Sequence, residues 1–318
     1  MSFPFRKMSG IVNIPILEIS QEEFRKVMTE RREPLVLRGS DLGSCTRTWS
    51  PEKLSERLNP RQVRVHVGQE QDLDFRTKNF KYCDIDIKEL VKRAQNKTNE
   101  EFFIDKSEIY YLRSISGDSR NLQVSNLDQD FPEISSDFKI PDLFPPDQMF
   151  SSVLRISSGG VRIWTHYDVT DNVYCQITGR KSAVLWPPSQ ANNMYLQGDK
   201  SMVADIDSPG SEFPLFPVSN RWEAELEPGD ILFIPSLWFH NMKAHDFGVA
   251  VNVFWKELES KFYDPKDYYG NKELVPGAKS LTMLDNIIKQ LTLLPPQYAD
   301  FYARRCVEKL EKKCYLKD

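Results

Sequence analysis

From Phe150 to Glu257 the chain alternates short apolar runs with Gly, Pro, Asn and Asp. The runs are SSVLRIS, VRIWTHY, VYCQITG, KSAVLW, DILFIP and VAVNVFW. Each is too short for a stable helix and rich in β-branched and aromatic residues, which fit a pleated surface. Together they predict an antiparallel sandwich or barrel. Upstream the period changes from element to element. SQEEFRKVMTERR (20–32) is an amphipathic helix opened by a capping box, Ser20 with Glu23. PLVLRG is a short strand ending at Gly39, and SPEKLSERL restarts a helix with Pro51 at its first position. RQVRVHV alternates with the strand period, KELVKRAQ is helical and EIYYLRS is strand-like. From about 115 to 148 the chain is polar and proline-bearing, a connector of loops with a short helix. After Pro276 a helical period returns. KSLTMLDNIIKQLTLL sets Leu281, Leu284, Ile288 and Leu291 on one face, Pro295-Pro296 breaks it, and PQYADFYARRCVEKLEKK forms a second helix.

Composition narrows the class. The 318 residues are 40% hydrophobic and 28% charged, enough apolar material for a large core. A formal net charge of −4 is not that of a basic nucleic-acid protein, although it leaves room for a local basic patch. Cys45, Cys83, Cys175, Cys306 and Cys314 make an odd count with no CxxC pair, which argues against a disulfide framework or a thiolate zinc site. Reduced thiols imply an intracellular compartment, with the cytoplasm favoured and the nucleus as alternative. No run approaches the ~20 apolar residues of a membrane span. The opening MSFPFRKMSG lacks a signal-peptide core, and Met8 is a second candidate start.

Candidate chemistry centres on WTHYDVTDN (164–172). His166 and Asp168, two apart on an extended strand, direct their donors to one side. A third ligand must come from His66, His240 or His245, the other histidines of the chain. His240 ends LEPGDILFIPSLWFH, where Pro-Gly-Asp is a turn, Ile231 to Ile234 a strand, Pro235 its end, and Trp238-Phe239 the approach to the imidazole. His66 is assigned to an ordinary strand face and His245 to a solvated polar loop. Two histidines and one carboxylate bind one face of an octahedral ferrous ion and leave the rest open. Zinc with the same ligands is the rival, favouring hydrolysis through a bound water.

LRISSGGVRIWTHYDVTDN, ITGRKSAVLWPP, LEPGDILFIPSLWFHNM and VAVNVFWK resemble the JmjC, cupin-type 2-oxoglutarate and iron(II) dioxygenases. Within them the chain resembles the group containing the asparaginyl hydroxylase of hypoxia-inducible factor. Closer still are the tRNA wybutosine hydroxylases, a likeness that extends to PLVLRGSDLGSCT, EIYYLRS, YGNK and DFYARR outside the metal segment. The resemblance implies a mainly β fold with α elements. A double-stranded β-helix core (150–257) is expected between an N-terminal α/β region (1–149) and a C-terminal helical hairpin (258–318). It also implies His166, Asp168 and His240 as iron ligands, with 2-oxoglutarate and O2 as cosubstrates. The distal carboxylate of 2-oxoglutarate is expected on Lys181 of TGRK, with Arg180 facing outward. Tyr111, Asn172 and Asn252 are expected as further contacts. Ile163 stands where relatives often have a threonine, so it can line the pocket but cannot bond the carboxylate.

The metal segment does not choose the substrate. Whole-chain likeness implies a wybutosine precursor, 7-(aminocarboxypropyl)wyosine, in the anticodon loop of phenylalanine tRNA. The alternatives are a protein side chain or methyl-lysine, and a pseudo-enzyme that only binds partners. RNA binding calls for cations at the pocket mouth, for which Arg113, Arg155 and Arg162 are candidates, with Arg304, Arg305, Lys309, Lys312 and Lys313 on the last helix. In related hydroxylases paired terminal helices form a homodimer. The stripe from Leu281 to Leu291 either does the same or packs on the chain's own barrel.

Overall fold

The computed structural model describes residues 10–95, 101–116, 123–218 and 220–315. The first nine residues, with Met8, and part of the 115–148 connector lie outside them. Each predicted strand of the core forms: Met149–Ser157, Arg162–His166, Asp171–Thr178, Lys181–Trp186, Ile231–Ile234 and Gly248–Trp255. Two more appear that hydrophobic runs did not mark, Trp222–Leu226 and Phe239–Ala244. Both carry polar residues on their outward positions, which hides the apolar run; Ala224 and Met242 still face the same inner core.

The eight strands make two antiparallel four-strand layers, as a double-stranded β-helix requires. One runs Ile231–Ile234, Asp171–Thr178, Gly248–Trp255, Met149–Ser157; the other runs Trp222–Leu226, Lys181–Trp186, Phe239–Ala244, Arg162–His166. Strands from the N-terminal region extend the first layer at both edges. Leu35–Leu37 pairs with Ile231–Ile234, while Ile109–Arg113 pairs with Met149–Ser157 and is followed by Gln62–Gly68 and Phe80–Asp86.

Side-chain parity divides the first layer between two cores. Val173, Cys175, Phe233, Val251, Val253 and Trp255 face outward, onto the N-terminal helices Gln21–Arg31 and Ile87–Ala94. Tyr174, Ala250, Leu232 and Ile234 face inward and meet Ala183, Leu185 and Met242 of the opposite layer. The large core is therefore outside the barrel. Its interior stays free for polar side chains at one end.

The predicted caps form. Ser20 accepts from the Glu23 N–H while the Glu23 carboxylate accepts from the Ser20 N–H, and Ser50 caps the helix Pro51–Arg57. The connector holds two short helices, Leu127–Asp130 and Pro132–Ser135, where one was expected.

The described chain divides into two units. One holds residues 10–258 with 266–271, and the other 259–265 with 272–315. The second contains the predicted hairpin, Val275–Leu291 and Pro296–Cys314, with Pro296 at the first position of its second helix. Among the described residues no helix is long and apolar enough to cross a membrane.

Candidate active site

His166 is the last residue of its strand and His240 the second of the neighbouring one; their Cα positions are direct partners across the pair. Asp168 lies just past the strand end, not on the strand as expected from parity. The Leu237 N–H holds it there, donating to the Asp168 carbonyl at 2.7 Å. Leu237 has a left-handed backbone (φ 67°), uncommon outside glycine, and it turns the chain from Pro235 back into the His240 strand. The same segment is anchored beneath by Asp171, fully buried, which accepts from Arg32 at 2.6 and 2.8 Å and from the Ser236 N–H at 2.7 Å.

The donor atoms of His166, Asp168 and His240 all lie within 4.8 Å of one another. The imidazoles are 4.3 Å apart between ring centroids, and His240 Nε2 is 3.7 Å from Asp168 Oδ2. Each histidine Nδ1 meets the carbonyl two residues back, Trp164 at 2.7 Å and Trp238 at 3.1 Å. A carbonyl only accepts, so Nδ1 carries the proton in both rings and each Nε2 is left with its lone pair for a metal. Burial, then the neighbouring His166, lowers His240 to about 4. The ring is neutral at physiological pH, the state a metal ligand needs.

Behind the metal cluster lies a small chamber lined by Lys181, Tyr174, Arg155, Tyr111 and Asn252. Lys181 begins its strand after a turn at Gly179 (φ 76°), where a Cβ would sit 2.2 Å from the Phe247 carbonyl, so only glycine fits. Arg180 points outward to Asp246, as expected. Lys181 is 3% exposed and no carboxylate pairs with it among the described residues. Burial, then Arg155, pushes it down to about 7. Its ammonium stands 5.1 Å from the Tyr174 ring centre. The Tyr174 hydroxyl is buried without a hydrogen-bond partner among the described residues.

Two buried cations without an ion-pair partner among the described residues, Lys181 and Arg155, beside an orphaned hydroxyl, fit a bound carboxylate. The chamber adjoins the neutral-histidine and carboxylate triad. The donor set thus suits a metal ion with a carboxylate-bearing ligand beside it.

The other expected residues divide. Tyr111 is in the chamber, its hydroxyl accepting from Arg155 Nη1, and Asn252 accepts from Arg155 Nε. Ile163 lines the wall. It shares the inner face with His166, three positions on, because a bulge sets two residues of the His240 strand against three of its neighbour. Asn172 is one step behind, and its Oδ1 accepts from the Asn252 amide at 2.9 Å. It positions Asn252 instead of lining the chamber.

The three arginines separate in the same way. Arg155 lines both the chamber and the inner end of the outer cavity, because it shares strand parity with Val153 while Leu154 and Ile156 face the outer core. Arg162 has opposite parity to Ile163 and pairs with Asp72 at 3.3 Å, with Asp207 at 3.9 Å beyond, so it is not part of the lining. Arg113 lines the outer cavity.

That cavity, about 350 Å³, opens from the metal cluster outward. Its aromatic wall includes His66, Phe75, Tyr82 and Trp164. The assignment of His66 to an ordinary strand face is therefore corrected. It sits 4.9 to 5.5 Å from the rings of Phe75, Phe80, Tyr82 and Tyr111, and burial lowers it to about 4. His245 is exposed, as expected, and its Nε2 meets Glu225 and Ser182. Tyr174 was not among the expected residues, although it shares the parity of Asn172 on one strand and is the direct partner of Asn252; Arg155 was expected as a substrate contact and not beside Lys181.

Comparison with known proteins gives a consistent picture. A family model described as a cupin-like domain matches residues 20–261. A tRNA wybutosine-synthesizing protein 5 of Mus musculus is 46% identical over 301 residues, 94% of this chain and 95% of that protein. The Homo sapiens protein of the same name is 45% identical over 307 residues, 96% and 97% of the two chains. A tRNA wybutosine-synthesizing protein 4 of Gibberella zeae is 36% identical over 308 residues, and the match spans 29% of that longer protein.

Proposed function

Since the chain belongs to the cupin-like family and, within it, to the group of tRNA wybutosine-synthesizing protein 5, we propose that it is a tRNA-modifying hydroxylase dependent on Fe(II), 2-oxoglutarate and O2. Its substrate is 7-(aminocarboxypropyl)wyosine in phenylalanine tRNA, and the product carries a hydroxyl on the tail. The observation that carries the reading is the triad His166, Asp168 and His240 set against the unpaired, buried Lys181. A zinc hydrolase has no use for that second, cationic chamber. A pseudo-enzyme has no use for either.

His166, Asp168 and His240 would hold the iron, and Lys181, Tyr174, Tyr111 and Asn252 would hold the far carboxylate of 2-oxoglutarate. Bound together, the two supply oxidative decarboxylation and with it an oxidant for an unactivated C–H bond. The chain's own residues set the conditions. Trp164 and Trp238 carbonyls fix the histidine tautomers, and Arg155 orients Tyr111 and Asn252. Ile163, Ile234 and Met242 keep the chamber dry, which strengthens the ionic contact of Lys181. The aromatic wall of the outer cavity suits a base taken out of its stack, since flat rings bind flat rings with little regard to sequence.

The apolar stripe Leu281, Leu284, Ile288 and Leu291 along Val275–Leu291 supports a homodimer through the terminal helices. Free cysteines suit a cytoplasmic enzyme. The deciding experiment incubates the protein with iron(II), ascorbate and 2-oxoglutarate and compares precursor-bearing phenylalanine tRNA with a peptide library. A gain of about 16 Da, one oxygen atom, is expected on the tRNA. The same gain on peptides alone would reject the tRNA reading in favour of a protein hydroxylase.

A further inference from the structure

Arg113 and Arg155 are direct partners on adjacent antiparallel strands, both on the inner face. Like charges so placed repel at close range, and folding gains nothing from them unless anions intervene. Neither has a carboxylate partner among the described residues. The chamber at Lys181, which Arg155 lines along with the outer cavity, accounts for Arg155. It does not explain Arg113, which lies on the outer side of the metal cluster and is desolvated there, drawn down to about 10 by burial and then by Arg155.

Arg113 is also held ready. One Nη2 donates to the Tyr269 carbonyl at 2.8 Å, and the guanidinium lies over the Tyr269 ring, 5.1 Å from its centre. These contacts fix the plane of the fork and leave its other donors facing the cavity. Arg64, at the same cavity, is already neutralised by Asp84 at 3.0 Å. The cavity is also lined by Lys200, the Cα partner of His166 and already neutralised by Asp199 at 2.5 Å.

Resting on the functional reading above, we propose that Arg113 is the specificity-determining residue of the outer cavity: it grips the carboxylate of the amino-acid tail on the substrate base. Wherever on that tail hydroxylation falls, the carboxylate is within about three bonds of the reacting carbon and must lie close to the metal cluster. Arg113 is close enough to Asp168 to feel its charge. A backbone phosphate belongs at the far end of the nucleotide, beyond the aromatic wall, so the same geometry disfavours it.

The test measures binding to the full-length, metal-free protein of three anticodon stem-loops, differing only in the base: free-acid tail, tail carboxamide and no modification. The carboxamide has the same shape without the charge. The wild type should bind the acid roughly 10- to 100-fold more tightly than the carboxamide, as a charge-assisted pair requires. Arg113→Gln should shrink that preference to less than about 3-fold without changing affinity for the unmodified loop, and Arg113→Lys should fall between. The wild-type comparison needs no variant and stands even if Arg113→Gln does not fold. Equal binding of acid and carboxamide by the wild type, or a wild-type preference retained in Arg113→Gln, overturns the assignment while tRNA hydroxylation remains. Loss of the unmodified loop in step with the acid overturns it in favour of a phosphate contact. Equal binding of all three loops, with oxygen added only to peptides, overturns the tRNA reading as well.

Discussion

Replacing Lys181 with methionine keeps an unbranched stem of similar reach and removes the ammonium. Burial and Arg155 bring that ammonium from its ordinary 10.5 to about 7. Each tenfold change in proton affinity is worth about 1.4 kcal/mol, so folding opposes a charged Lys181 by roughly 4–5 kcal/mol. Local relaxation and water reduce the realised value. The Lys181→Met protein, free of metal and cosubstrate, is therefore expected to be more stable than the wild type by about 2–4 kcal/mol. The sign with pH follows from proton counts. Below pH 7 both folded and unfolded lysines are charged, and the penalty is complete. Between about 7 and 10.4 the unfolded chain binds more protons, so wild-type stability rises with pH and the advantage of the variant fades. Urea unfolding followed by tryptophan fluorescence at about pH 6.5 and pH 9.5 reads both effects. Calorimetry with 2-oxoglutarate should show affinity lowered by about 100-fold in the same variant, since the charge-assisted contact is gone. A variant that is less stable than wild type at the lower pH would refute the reasoning, because Lys181 would then be a paired structural cation.

Three further outcomes are expected. Wild-type affinity for 2-oxoglutarate should fall by about tenfold per pH unit above pH 7, because the anion binds the charged form of Lys181 that the free protein is losing; a flat titration between about 6.5 and 9 contradicts this. Arg32→Ala leaves buried Asp171 without its bidentate partner and should cost about 3 kcal/mol in unfolding experiments. It should also weaken metal binding, because Asp171 anchors the Ser236 segment that leads to His240; unchanged stability would show that the Ser236 N–H alone compensates the charge. His166→Ala and Asp168→Ala should each abolish binding of cobalt(II), followed by its visible absorption, and retained stoichiometric binding would remove that residue from the triad.

Much of the site was readable along the chain because it is local. His166 and Asp168 are two residues apart, Gly179 and Lys181 likewise, and both pairs sit where a strand period stops or starts. His240 was readable for another reason: four histidines leave few candidates for a third ligand. The same local reasoning failed wherever two strands had to be compared. Arg113, Arg155 and Arg162 look alike in sequence. Arg113 faces the outer cavity, Arg155 stands where that cavity meets the chamber at Lys181, and Arg162 faces a pair of aspartates, according to strand parity and neighbour. Asn172 and Tyr174 share a face, yet only Tyr174 reaches the chamber, because Asn252 stands in front of Asn172. His66 was misplaced because the aromatic residues that make its surroundings come from three other segments of the chain.

Sequence by itself determined the strand-rich core, the helix caps, the terminal hairpin and the ligand types, since these follow from period, turn residues and side-chain chemistry within a few positions. Tertiary structure alone decided which charges meet. The bulge that turns Ile163 inward and the cross-strand pairing of Arg113 with Arg155 are properties of register. A one-residue slip of register sends every side chain of a strand to the opposite face, so the separation of Arg113 and Arg155 from Arg162 exists only once the strands are paired.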